Sequence, residues 1–113
     1  MLHLADTKEN GVRVCQLRGR LDATTSPDAE AHLAALAADA SAALILDLAQ
    51  LDYLSSKGLH VLLNAANRAR TQGSRLALSS PRDAVKHILD ISGFSSILDI
   101  HPTREQALAA LAS

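Results

Sequence analysis

Aromatic side chains are almost missing from this chain: it has no tryptophan, and Tyr53 and Phe94 are its single tyrosine and phenylalanine. A protein that holds single-stranded nucleic acid by stacking bases needs more rings than that. An excess of charge of either sign is also lacking. Eleven Lys and Arg stand against twelve Asp and Glu, and the basic residues are scattered, so there is no electrostatic footprint for a phosphate backbone. Nucleic acid is not an expected partner. The lone cysteine, Cys15, excludes an internal disulfide and has no second thiol to share a metal with, so it reads as a small core residue. No apolar run approaches the ~20 residues that cross a bilayer. The opening MLHLADTKEN has neither the basic start nor the apolar centre of a signal peptide. The chain is therefore expected to be cytoplasmic, with no membrane association.

What is abundant is aliphatic. Hydrophobic residues make up 48% of the chain, mostly Leu, Ala, Ile and Val, a composition suited to helices packed on a sheet. At 113 residues, the length fits one domain spanning residues 1–113. Val12 to Leu17, between Asn10-Gly11 and Gly19, reads as a strand entered through a turn, and Leu2 to Ala5 can pair with it as a hairpin. Ser26-Pro27-Asp28 sets a capping hydroxyl, a proline at the first helical position and an acid in the first turn of a helix reaching about Ala40. Its apolar face is Ala29, Leu33, Leu36, Ala37 and Ala40. Leu44 to Leu48 is a buried strand interrupted only by Asp47. After Ser56, Leu59, Leu62, Leu63, Ala66 and Ala69 recur at helical spacing, with Gly73 placed for a left-handed cap beyond Arg70.

Arg75 to Ser79 alternates as a strand. Ser80-Pro81-Arg82-Asp83 reads as the cap of a short helix ending near Gly93, with Val85, Ile88 and Leu89 on its buried side. Ser96 to Ile100 is a short strand or extended segment, and Thr103 to Gln106 a capping box for a last helix with Leu108 and Leu111 inward. The order β, β, α, β, α, β, α, β, α predicts an α/β layer fold: a mostly parallel mixed sheet of four to five strands with about four helices and right-handed crossovers.

In open α/β sheets function gathers where strands end and helices begin. There the sequence reads Asp52-Tyr53-Leu54-Ser55-Ser56-Lys57-Gly58-Leu59-His60. A helix start exposes unpaired N–H groups and carries partial positive charge, so a phosphate on Ser56 would be stabilised locally, with Lys57 beside it. Gly58, lacking a side chain, would let a partner come close. The local pattern by itself is equally that of an N-cap serine contributing about 1 kcal/mol.

The stretch LILDLAQLDYLSSKGLHVLL, Leu44 to Leu63, resembles the signature of STAS domains, specifically the bacterial anti-sigma factor antagonists. Gly19-Arg20-Leu21-Asp22 followed by Thr24 or Thr25 resembles the first loop of that family. Ile91-Ser92-Gly93-Phe94 and Glu105 to Leu111 resemble its tail. The resemblance implies a non-enzymatic protein without cofactor, phosphorylated at the hydroxyl matching Ser56 by an anti-sigma factor that is a serine kinase of the histidine-kinase-like ATPase fold. Only the unphosphorylated form binds that kinase tightly and frees the sigma factor, and a PP2C-type phosphatase resets the switch. Asp22, Thr24, Tyr53, Ser55, Lys57, Gly58 and His60 form the implied partner-binding set. Ser55 and Lys57 stand where better-known members carry Asp and a small residue, and His60 where many carry a small residue. Ser55 therefore stays a second candidate for the phosphate, and a kinase-type regulator outside sigma control a second candidate partner. A STAS scaffold that binds a protein or small ligand without phosphorylation is the alternative function.

Other constellations are weaker. Asp22 could accept a hydrogen bond from the Ser56 hydroxyl, or be a turn residue bonded to its own backbone. Tyr53 could meet a partner or lie half-buried under the loop. Asp47, within a strand, and Asp52, in a loop, lack the companions of an acid–base pair. His3, His32, His60, His87 and His101 have no zinc-ligand spacing. Ser56 and His60 lie four apart without a nucleophile elbow, and no nucleotide-binding glycine motif is present.

Overall fold

The computed structural model describes residues 1–39 and 41–111. The chain opens with an antiparallel hairpin, β1 (Leu2–Glu9) and β2 (Val12–Leu21). Asn10 and Gly11 join them with φ of 52° and 79°, as required by the turn whose twist matches that of the strands. There follow α1 (Ser26–Ala37), β3 (Leu44–Leu54), α2 (Ser56–Thr71), β4 (Leu76–Ser79), α3 (Asp83–Ile91), a 3-10 turn (Phe94–Ser96), β5 (Ile100–His101) and α4 (Arg104–Leu111). The strands lie side by side in chain order, parallel after the hairpin. This is the mixed sheet and helix set expected from the sequence.

Because spatial order equals chain order, each crossover steps in the same direction, and connections of one hand then put their helices on one face. Leu33 of α1, Leu62 of α2 and Leu89 of α3 accordingly share one core with Leu17, Leu46 and Leu78. The other face carries Val12, Val14, Ile45 and Ala77, covered by Ala107, Leu108 and Leu111 of α4. Asp47 falls on that second face. Its carboxylate, 5% exposed, accepts from Arg104 Nε at 3.1 Å and from Arg104 Nη2, while Arg104 Nη1 reaches Glu9 at 2.6 Å. Asp47 is thus a hydrogen-bonded structural acid.

Several local expectations are corrected. The first strand continues through Gly19 to Leu21, because Gly19 takes φ +110° at a register shift and lets Met1 lie against it; a Cβ there would collide with the Met1 carbonyl. The third strand extends to Leu54, so Asp52 is a strand residue, ion-paired with Arg82. Helix α1 starts one residue early: Ser26 is its first residue, donating from Oγ to the Asp22 carbonyl at 2.6 Å, and Thr25 takes the cap position. The Thr25 hydroxyl is engaged in the preceding turn, accepting the Asp22 N–H at 2.9 Å and donating to the Arg20 carbonyl at 2.9 Å. The expected Ala40 end of this helix lies outside the described residues.

Ser80 is no cap either. It sits at φ +57°, its N–H donating to the His101 carbonyl, and Arg82 precedes α3 without a side-chain cap. Between Phe94 and Leu98 the chain coils, with Ile97 and Leu98 N–H groups both donating to the Phe94 carbonyl, so the extended segment is confined to Ile100–His101. The last capping box is half observed: Thr103 Oγ1 accepts from the Gln106 N–H at 3.1 Å.

Candidate functional site at the start of the second helix

Strand β4 pairs with β3 only from Leu44 to Asp47, whereas β2 accompanies β3 as far as Leu54. The ends of β2 and β3 therefore project past the sheet and present the start of α2 at its carboxyl-terminal edge. Ser55 is anchored there. Its N–H donates to the Leu21 carbonyl at 3.0 Å, its backbone is extended (φ −85°, ψ 171°), and its Oγ accepts the Gly58 N–H at 3.0 Å. Ser55, and not Ser56, is the N-cap.

Ser56 is then the first helical residue, exposed, and its hydroxyl makes no hydrogen bond within the described residues. The two serines divide the labour that the sequence left ambiguous between them. Lys57 and His60 are exposed on the same side, one residue and one turn on, and the first turn of α2 contains no acid. A phosphate on Ser56 would bring the negative charge that this helix start lacks. A shallow groove between α1 and α2 runs past Pro27, Glu30, Lys57, His60 and Asn64. The start of α1 thereby adjoins the start of α2, although the spacing in the sequence gave no sign of Pro27 or Glu30.

Gly58 has a different role from the one expected. It is buried, and a Cβ there would lie 2.6 Å from the Leu21 carbonyl oxygen and 2.8 Å from Leu21 Cγ. Its missing side chain lets α2 approach the ends of β2 and β3, and opens nothing to a partner. Asp22 also departs from the bolder expectation. Its Oδ1 accepts from the N–H groups of Thr24 and Thr25 at 3.0 and 3.1 Å, forming its own turn instead of orienting the Ser56 hydroxyl. These bonds, Thr25 first, with Arg20 nearby, hold its carboxyl below the usual range. Thr24 is exposed on that turn.

Tyr53 is 40% exposed, and the Arg20 guanidinium lies 4.2 Å from its ring centroid. The two residues are cross-strand neighbours in the β2–β3 register, a pairing invisible until the strands are aligned. Asp52, Tyr53, Ser56, Lys57 and His60 are each exposed along the run from the end of β3 into α2, and Arg20 near the end of β2 pairs with Asp22 of the following turn. Cys15, at the far side of the hairpin, is fully buried, and burial followed by the neighbouring Asp6 carboxylate raises its thiol, which stays protonated. Among the described residues, no helix is long and apolar enough to cross a membrane.

The STAS domain family model matches residues 3–107. BtrV of Bordetella bronchiseptica is 35% identical over 109 residues, covering 96% of this chain and 94% of BtrV. The anti-sigma-F factor antagonist RsfA of Mycobacterium tuberculosis is 32% identical over 99 residues, 86% of this chain and 77% of RsfA. Among solved structures, an anti-sigma factor antagonist from Mycobacterium paratuberculosis superposes with a TM-score of 0.92 at 24% identity, covering 100% of this chain and 96% of that one. Unphosphorylated SpoIIAA superposes with a TM-score of 0.76 at 19% identity, covering 96% of this chain and 93% of the other. These superpositions speak for the fold. With a family model spanning nearly the whole sequence and a relative aligned almost end to end, the chain belongs to the STAS domain family.

Proposed function

We propose that this protein is an anti-sigma factor antagonist whose partner choice is set by phosphorylation at Ser56. The unphosphorylated chain, acting as one module over residues 1–113 in the cytoplasm, binds an anti-sigma factor serine kinase of the histidine-kinase-like ATPase fold and releases the sigma factor. Transfer of phosphate to Ser56 ends that binding, and a PP2C-type phosphatase restores it. The chain is a substrate and a ligand, not an enzyme.

One observation carries the reading: the Ser56 hydroxyl stands exposed and unbonded at the first helical position while Ser55 performs the cap. A kinase can reach Ser56 without dismantling the helix start. Ser55 Oγ is instead half-buried and already engaged as the acceptor of the Gly58 N–H, so transfer there would have to break into the helix cap. Tyr53, Lys57, His60 and Thr24 supply the surrounding contact surface, with Asp22 shaping its turn. RsfA and the anti-sigma-B factor antagonist of Listeria monocytogenes, 30% identical over 82 residues, bear names consistent with this function.

Incubation with the candidate kinase and ATP, followed by mass spectrometry, is the direct test. One phosphate at Ser56, abolished in Ser56→Ala and retained in Ser55→Ala, is the expected result. Kinase binding that persists with no modified serine would replace this reading with that of an unphosphorylated scaffold.

A further inference from the structure

A second cluster of chemistry-bearing side chains lies on the hairpin, across α1. Asp6 of β1, Cys15 of β2 and His32 of α1 bring a carboxylate oxygen, a thiol sulfur and an imidazole nitrogen within 4.8 Å of one another. Their sequence separations of 9 and 17 residues match no ligand motif, so only the fold reveals them. Asp6 and Cys15 face each other in the β1–β2 register, and His32 Nε2 lies 2.9 and 3.0 Å from the two Asp6 carboxylate oxygens.

Asp6 is out of pattern. Leu2 and Leu4, which precede it at alternating positions, pack against the core shared with α1, and the next inward position on β1 calls for another apolar side chain. A carboxylate stands there instead, opposite the fully buried Cys15. We infer that Asp6, Cys15 and His32 form a binding site for one divalent transition-metal ion of zinc type, which ties the edge strand and α1 to β2.

The donor set selects the ion. A thiolate with an imidazole and a carboxylate suits zinc and cobalt and is wrong for magnesium or calcium, which take oxygen ligands. Three protein ligands leave a fourth tetrahedral position for water, and the half-exposed Asp6 and His32 provide the approach from solvent. Ligands at usual zinc distances stand about 3.3–3.8 Å apart around a tetrahedral ion. The 2.9 Å between His32 and Asp6 would open by well under 1 Å, a rotamer-scale adjustment of two half-exposed side chains. On binding, the Cys15 thiol proton passes to buffer, His32 coordinates through Nε2 as a neutral imidazole with its proton on Nδ1, and the cation replaces the direct His32–Asp6 contact. No electron is transferred.

The test uses the full untagged chain, metal-stripped, with Zn²⁺ and Co²⁺ as probes. Expected are one equivalent of Zn²⁺ bound with a rise in Tm, and a near-ultraviolet thiolate-to-metal charge-transfer band with Co²⁺. Cys15→Ala should lose the band. Because that change lies in the core, His32→Gln, at a half-exposed position, is the second variant. It should fold as the parent does and weaken Zn²⁺ by more than about 100-fold, since even changes outside the ligand shell cost 10–100-fold. Absence of a charge-transfer band in the parent, as when zinc binds only the surface histidines, overturns the inference. So does a parent-like affinity and band in His32→Gln.

Discussion

Exchanging the roles of the two adjacent serines separates stability from binding. Ser55→Ala deletes the acceptor of the Gly58 N–H in a half-buried helix start and should cost about 1 kcal/mol, within the 0.5–2 kcal/mol range of N-cap losses. For a domain of this size that is a fall in Tm of roughly 3–6 °C. Ser56→Ala removes an exposed, unbonded hydroxyl and should change stability by no more than about 0.5 kcal/mol. Binding should invert the order. Calorimetry against the kinase at matched salt should find Ser55→Ala and Ser56→Ala close to the parent once folding is allowed for. Ser56→Asp should bind at least ten-fold more weakly, about 1.4 kcal/mol, although an acid at a helix start favours the fold by about 0.3–1 kcal/mol. A Ser56→Ala protein that melts as low as Ser55→Ala would refute the assignment of the cap. A Ser56→Asp protein that binds like the parent would refute the electrostatic switch.

Three further outcomes are expected. Gly58→Ala gains about 1 kcal/mol of helix propensity but forces a methyl against Leu21 and should lose about 1–3 kcal/mol by overpacking, so urea denaturation should show a net loss. Arg104→Met strands the buried Asp47 carboxylate and should cost about 2–4 kcal/mol, and adding Asp47→Leu should recover most of it; a double variant as unstable as the single would contradict the pairing. The Asp22 carboxyl is held below its ordinary range in the folded state, so whatever it contributes is present above the unfolded carboxylate pKa and lost as pH falls through the folded value. NMR titration should find Asp22 titrating below an unperturbed aspartate, and the stability gap between parent and Asp22→Asn should close in acid.

The layer order was legible because each signal for it is local: alternation in Val12 to Leu17, helical spacing from Leu59 to Ala69, and Gly73 at a left-handed position, where its φ is +78°. The misjudged ends share a cause. Gly19 and Asp52 read as strand breakers, but β2 and β3 are held to Leu21 and Leu54 by each other, and tertiary pairing overrode local preference. By residue type alone Ser26, Ser80 and Ser56 are all candidate caps. The cap is decided by which hydroxyl reaches the free N–H groups, and at α2 that is Ser55. Cross-strand neighbours such as Arg20 and Tyr53, and cross-element neighbours such as Asp6, Cys15 and His32, depend on register and helix docking. No window of sequence contains them.

The same geometry explains how a phosphate could act on binding without reshaping the molecule. In the free chain a group at Ser56 stays in water, over a helix start with no acid in its first turn and with Lys57 alongside, so the fold has little reason to resist about −1.5 to −2 charges. Against a partner the group would be enclosed, losing its water and facing whatever acids the partner presents, at a cost of a few kcal/mol. A modification shifts an equilibrium only by the difference it makes between two states. Here the two states are free and bound. The difference arises because Ser56 is exposed at the start of α2, beside the exposed Lys57, while the structural work of that turn is done next door by Ser55 and the buried Gly58. Separation of those tasks leaves the regulatory hydroxyl free to carry charge.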